Sequence, residues 1–453
     1  MNSIKIIFYF QCIVYFNEYF IIVKSNKNKY YYNINMKLSE KSKKLMLFFT
    51  KNKHIHQVHP TNKTKTILKE LYNDIFSAYK YLMQLKQKGT PYFGFTMKKI
   101  VHPGQISRPK NFNSKSFPDV VRNHIDHVTA AELTYTFSLY GREIKLIFIV
   151  EDENVELKLD TYHRYVDSIL MWVYILNQYS SKSCSKTLAV YFYFTSLEKK
   201  LPSSNISILD EIHVNTAFTT TCPKDSEIVV YRKEEWFKVF IHETFHNFSL
   251  DFSIMNNDEA HKCILNIFKV NSEVNLYESY TEFWAEIINA LFCSFLSMKD
   301  KTNVLDFLDH ADFFINYERT YSFFQMVKTL KFMGLQYTDL YSNSARSRML
   351  RENLYKEHTN VLSYYIIKCV LMYNYQGFLA WCKNNNFSLL EFKKTTANQQ
   401  EYCKFIEKNY KSKHLLESVQ ETMRFLQNIE RKNKTANDRY ILSNLRMSIC
   451  ELG

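Results

Sequence analysis

The stretch Ile241-His242-Glu243-Thr244-Phe245-His246 decides how this 453-residue chain is read. It lies inside residues 234–250, where Trp236, Val239, Phe240, Phe245 and Phe248 give a helix with little face left for solvent. Residues four apart on a helix are separated by about 400° of rotation, so His242 and His246 share one face, a turn apart. Two imidazoles so placed can share one tetrahedral zinc ion, with Glu243 beside them to take a proton from water. Chance supplies on the order of 0.03 such H-E-x-x-H motifs in a chain of this composition. The plain alternative is a solvated helix with two surface histidines. The aromatic faces argue against it, because histidines on a buried helix need partners.

A third ligand sets the class. An H-E-x-x-H-x-x-G-x-x-H extension would need Gly at 249 and His at 252, but Ser249 and Phe252 stand there. Downstream, Tyr277-Glu278-Ser279-Tyr280-Thr281-Glu282-Phe283-Trp284-Ala285-Glu286 stacks three carboxylates at i, i+4 and i+8. Like charges at that spacing repel unless a cation compensates them. A solvated acidic face is the bland reading, and Leu276, Tyr280, Phe283, Trp284, Ile287 and Leu291 oppose it by wrapping the helix into a core.

This combination resembles the gluzincin group of zinc metallopeptidases, in which a Glu ligand follows H-E-x-x-H on a second helix. It is also similar to uncharacterised metallopeptidase-like proteins of nucleocytoplasmic large DNA viruses. The resemblance covers about residues 130–295. Carried over residue by residue, it implies Zn2+ held by His242, His246 and Glu282, with Glu286 supporting His242 and Glu243 catalytic. Glu278, one turn earlier, is the alternative ligand. The implied activity is zinc-dependent hydrolysis of a peptide bond in a protein or peptide substrate. Residues 227–231 are a candidate edge strand for an extended substrate, and a Tyr or His after residue 275 a candidate oxyanion donor. A catalytically silent fold serving as an interaction protein is the alternative, but a structural zinc site needs no Glu243. A basic nucleic-acid-associated protein is the third reading.

Working outward, residues 133–139 and 144–150 alternate in polarity about Tyr140-Gly141-Arg142, as a β-hairpin does. A helix is expected at 159–179 and strands at 188–194 and 227–231; Glu234 and Glu235 fall in the first turn of the H-E-x-x-H helix. Beyond residue 275 all reads helical, over 275–298, 306–332, 350–373 and 388–432. The fold class is α+β: a zincin-like subdomain, a small mixed sheet plus active-site helix, followed by a large helical region. The expected divisions are a poorly ordered leader and tail at 1–62, an N-terminal helix and loop-rich linker at 63–128, the catalytic core at 129–300 and a helical region at 301–453.

Composition narrows the function classes. Seven Gly, and neither a G-x-G-x-x-G nor a G-x-x-x-x-G-K-[ST] motif, exclude the common phosphate-binding loops. The net charge of +14 comes from 46 Lys and only 13 Arg, the signature of an AT-rich coding sequence, so nucleic acid is not expected as the main partner. Nine scattered cysteines without C-x-x-C argue against disulfides and for a reducing, intracellular compartment, host cytoplasm or virion if viral. Membrane attachment is expected only through residues 4–23, as a signal-anchor, unless translation starts at Met36 or Met46. His54, His56 and His59 read as a solvated tract, His124 and His127 as loop residues, and Asp251 as out of helical register with the metal.

Overall fold

The computed structural model describes residues 37–432 and 435–453. Six strands form one mixed sheet in the order β1-β2-β3-β4-β6-β5: β1 Gly94–Lys99, β2 Ala131–Leu139, β3 Arg142–Val150, β4 Thr187–Phe194, β5 Ala217–Thr219 and β6 Asp225–Val230. The helices before and around the sheet are α1 Glu40–Lys51, α2 Asn62–Gln87, α3 Asp119–Val128, α4 Leu159–Tyr179, α5 Glu211–Val214 and α6 Trp236–Asn247. Those after it are α7 Asp258–Ile267, α8 Leu276–Ser297, α9 Val304–Phe332, α10 Ala345–Leu354, α11 Lys368–Tyr373, α12 Tyr375–Asn385, α13 Thr396–Asn409, α14 Lys413–Lys432 and α15 Ala436–Ser443. The protein is therefore α+β with a large helical region.

The hairpin is as expected. Leu139 pairs with Arg142 across Tyr140 and Gly141, whose φ values of 50° and 79° make the two-residue turn that suits strand twist. β3, β4 and β6 run parallel, while β5 closes the far edge antiparallel to β6. One sheet face packs on α4 and α6; the other is covered by Phe112, Phe117, Val121 and Ile125 packing against Ile147, Ile149, Tyr193 and Tyr231. Covering both faces is why the end of β3 is buried at every position rather than alternating.

Several expectations are corrected. The presumed tail folds from Glu40 on: Phe49 is fully buried and contacts Tyr321, Phe324 and Phe425. Residues 4–23 lie outside the described residues, among which no helix is long and apolar enough to cross a membrane. The linker contains β1 and α3; every β1 residue is exposed, so no alternation marks it in the sequence. Residues 227–231 are not an edge strand, because β5 lies beyond β6. The helix expected at 350–373 is interrupted between Leu354 and Leu362, then resumes through a π-helical turn, Leu362–Ile367. The expectation of no disulfides also fails: Cys184 and Cys222, 38 residues apart, are bonded and tie the start of β4 to the turn before β6. A pairing that distant has no local signature.

One hydrophobic cluster runs from Leu38 to Leu452 and spans the expected boundary at residue 300, with α8 packed against both α6 and α9.

Candidate metal centre

α6 is buried along its whole length. Its outer face meets the sheet, and Trp172 Nε1 on α4 donates to Thr244 Oγ1 at 2.8 Å. Glu234 and Glu235 do not sit in its first turn. Glu235 precedes the helix at φ 59°, and its carboxylate turns away to pair with Lys199 and accept the Met447 and Ser448 amides. At the other end, Ser249 N–H donates to His246 O and Leu250 N–H to Phe245 O, with Ser249 left-handed at φ 56°. This paired-bond ending reverses the chain and returns Asp251 to the helix it has just left.

α6 and α8 pack with opposite residue order: Lys238 and His242 on one meet Glu282 on the other, and His246, a turn further on, meets Glu278, a turn earlier. His242 Nε2 lies 3.1 Å from Glu278 Oε2, His246 Nε2 lies 3.4 Å from the same oxygen, and the two Nε2 atoms are 3.2 Å apart. Behind them, His242 Nδ1 lies 2.9 Å from Glu282 Oε2, and His246 Nδ1 meets Asp251 Oδ2. A carboxylate on each Nδ1–H leaves each Nε2 with its lone pair facing inward. Three acceptors then converge within a few ångströms. Ligand atoms about 2.0–2.2 Å from a tetrahedral metal stand about 3.3–3.6 Å apart, close to the observed triangle. His242, His246 and Glu278 thus form a buried group that could hold a metal ion.

The electrostatics agree. Burial opposes charge on both imidazoles, yet Glu278 and Glu282 hold His242 above the ordinary histidine range, and Glu278 and Asp251 hold His246 well above it. Burial would raise Glu278 and Glu282, but the histidines beside Glu278, and Lys238 with His242 beside Glu282, hold both carboxyls below the usual range. Glu243 is pushed up by burial, with the histidines pulling back, and lines the pocket beside His242.

The carboxylate that faces both Nε2 atoms is thus Glu278, the expected alternative, one turn before Glu282. Glu282 is not among the inward-facing donors; it pairs with Lys238 and supports His242, the role expected of Glu286. Glu286 is outside the site, 2.7 Å from Lys368 Nζ and accepting from Ser322 Oγ at 3.0 Å. The physical reason is Lys238, a buried ammonium one turn before His242 that claims the carboxylate opposite. Asp251 was missed because helical register is irrelevant to a residue beyond the helix; Ser249 at a helix end was the available signal.

The other histidines do not assemble. His54 stacks on Phe425 with ring centres 4.0 Å apart, His56 Nε2 lies 2.9 Å from Thr422 Oγ1, and His59 bonds Asp312. His54 is buried and His56 partly so, and burial pushes them down to about 4 and about 3. His124 and His127 lie on α3, bonded to Glu151 and to the Asn123 carbonyl.

His242 of the metal group lines a pocket of about 30 Å³ together with Glu243, Tyr364 and Ala217 of the edge strand β5, among others. Asn215 also lines a neighbouring cleft of about 690 Å³ beside α5 and residues 355–360. Compared with family models, curated proteins and solved structures, the chain matches none.

Proposed function

We propose that the protein is a zinc-dependent peptidase whose ligands are His242, His246 and Glu278. One observation carries this reading: two Nε2 atoms and a carboxylate oxygen converge at 3.1–3.4 Å, while the far nitrogen of each imidazole is held by a carboxylate. Two nitrogens and one oxygen with an open fourth position are the donor set of catalytic zinc. Zinc supplies Lewis acidity there, polarising a carbonyl and making a water more acidic.

The chain's own residues supply the rest. Glu282 and Asp251 fix the imidazole orientations and raise their basicity. Glu243 is the general base, taking a proton from the attacking water and passing it to the leaving amine; its burial raises its pKa towards that task. Tyr364 OH, 3.1 Å from Glu278 Oε2, keeps its proton because burial holds its pKa well above the usual value. Its single proton, donated to Glu278 here, serves an oxyanion by turning from that carboxylate. The free side of β5 offers backbone groups to an extended peptide, the role expected of residues 227–231.

The test is metal analysis joined to a peptide assay. The wild type should hold one zinc per chain, and Glu243→Gln should keep that zinc while losing about 10²–10⁴-fold in turnover. A wild type without zinc, or a Glu243→Gln protein of undiminished activity, would overturn the proposal.

A further inference from the structure

The pocket beside the metal group has an unusual wall. Val214, Val239 and Met447 give it apolar sides, and two buried lysines, Lys199 and Lys238, also line it. Each ammonium has one carboxylate partner among the described residues, Glu235 for Lys199 and Glu282 for Lys238. An ammonium carries three N–H donors; Lys238 also reaches Met447 Sδ at 3.9 Å, so its carboxylate and this weak sulfur acceptor occupy two, while Glu235 occupies one on Lys199. A buried donor without an acceptor is costly, and charge-assisted bonds are the ones that repay it best.

From this arrangement we infer that the pocket takes a carboxylate group of the substrate, held by Lys199 and Lys238 beside the metal site. The inference rests on the peptidase reading and names the substrate class. The pocket's volume of about 30 Å³ leaves room for a small polar group such as a carboxylate. Two carboxylates of the protein share the lining, and neither takes the place of a ligand. Both oxygens of Glu282 are engaged, one by Lys238 and one by His242 Nδ1, while Glu243 stands beside His242 as the base. Lys199 points the same way. Burial pushes its ammonium down, Glu235 pulls it back, and Lys238 pushes it down again, a repulsion that a carboxylate between them relieves.

Two sources present this chemistry: an Asp or Glu side chain next to the scissile bond, or the free C-terminus of a short substrate. Binding to zinc-loaded Glu243→Gln protein, measured by calorimetry, separates them without turnover. Four peptides of equal length suffice: one with internal Asp and an amidated end, the same with Asn, a neutral peptide with a free carboxylate, and its amide. The Asp peptide should bind about tenfold more tightly than the Asn peptide, or the free carboxylate about tenfold more tightly than its amide, whichever source applies. Lys199→Gln should reduce that preference below about threefold while zinc content is kept. Ala217→Glu, which places a carboxylate at the rim without touching the buried ion pairs, should do the same if Lys199→Gln fails to fold. Equal binding within both peptide pairs by a zinc-loaded protein overturns this inference alone. A protein that holds neither zinc nor any peptide overturns the peptidase reading with it.

Discussion

Glu278, Glu282 and Glu286 occupy one face of one helix and act differently because each meets a different cation. Glu278 faces two imidazoles, Glu282 faces Lys238 and His242, and Glu286 faces Lys368. Alanine variants should separate them. Glu278→Ala should abolish stoichiometric zinc, whereas Glu282→Ala and Asp251→Ala should each cost roughly 10–100-fold in affinity. Glu282→Ala also strands the buried Lys238 and Glu286→Ala strands Lys368, so both should lose about 3–5 kcal/mol of stability, with zinc affinity kept only in Glu286→Ala. Competition titration with a zinc chelator and denaturant unfolding check the two quantities. A larger affinity loss for Glu282→Ala than for Glu278→Ala would restore the register read from the sequence. The histidines and Glu243 are legible in the sequence because helix geometry relates them locally. The third ligand depends on which side chains α6 presents across a contact about 40 residues away. A small residue at Ala285 said nothing about that; Lys238, in phase with His242 and His246, was the informative residue.

At the scale of single elements, the end of α6 matters as much as its middle. Ser249 holds a left-handed conformation that most residues adopt only at a cost, and a β-branched side chain is worse still. Ser249→Val should therefore lower stability by about 1–2 kcal/mol and weaken zinc binding by pulling Asp251 from His246, while Ser249→Gly should do neither. Thermal unfolding with a zinc titration tests both variants. The segment between α10 and the π-helical turn carries a second element-scale device. Glu357 accepts from Ser272 Oγ, from Tyr355 OH and from the Leu362 amide, yet burial pushes its carboxyl up to about 7 from 4.5. The folded chain then keeps a proton that the unfolded chain has lost between about pH 4.5 and 7. Stability falls as pH rises through that window, by about 3 kcal/mol in all. Glu357→Gln should flatten the slope, matching the wild type near pH 4.5 and exceeding it near pH 8. Unfolding curves across that range would show an unchanged slope if Glu357 ionises freely. The elements missed from the sequence, β1 and β5, are edge strands of six and three residues. Too short or too exposed to show a period, they are fixed only by the strands they join.

For the whole molecule, the deciding segment is residues 444–453, which has neither helix nor strand yet is buried from Asn444 through Cys450. Buried backbone needs partners, and here side chains supply them. Glu235 accepts the Met447 and Ser448 amides, Glu318 on α9 accepts those of Ile449 and Cys450, and Asn289 on α8 donates to the Cys450 carbonyl. Lys368 donates to the Met447 carbonyl while pairing with Glu286. The segment thus joins the start of α6 to α8, α9 and α11, and Met447 reaches the pocket beside the metal group. Contacts at the start of α6 therefore cross the division expected at residue 300, since Glu235 holds two amides of the last ten residues. A chain ending at Ser443 would leave Glu235 and Glu318 without the amides they hold in the interior. Each such loss costs about 1–3 kcal/mol, more for a charged group, and several together exceed the stability of most domains. The shortened protein should lose its cooperative thermal transition and its zinc together. Glu318→Gln, which keeps the shape but weakens the bonds, should lower the melting temperature while sparing the metal. Circular dichroism melts paired with zinc analysis test this; a shortened chain that still melts sharply with one zinc bound would show that the metal centre is assembled without the C-terminal segment.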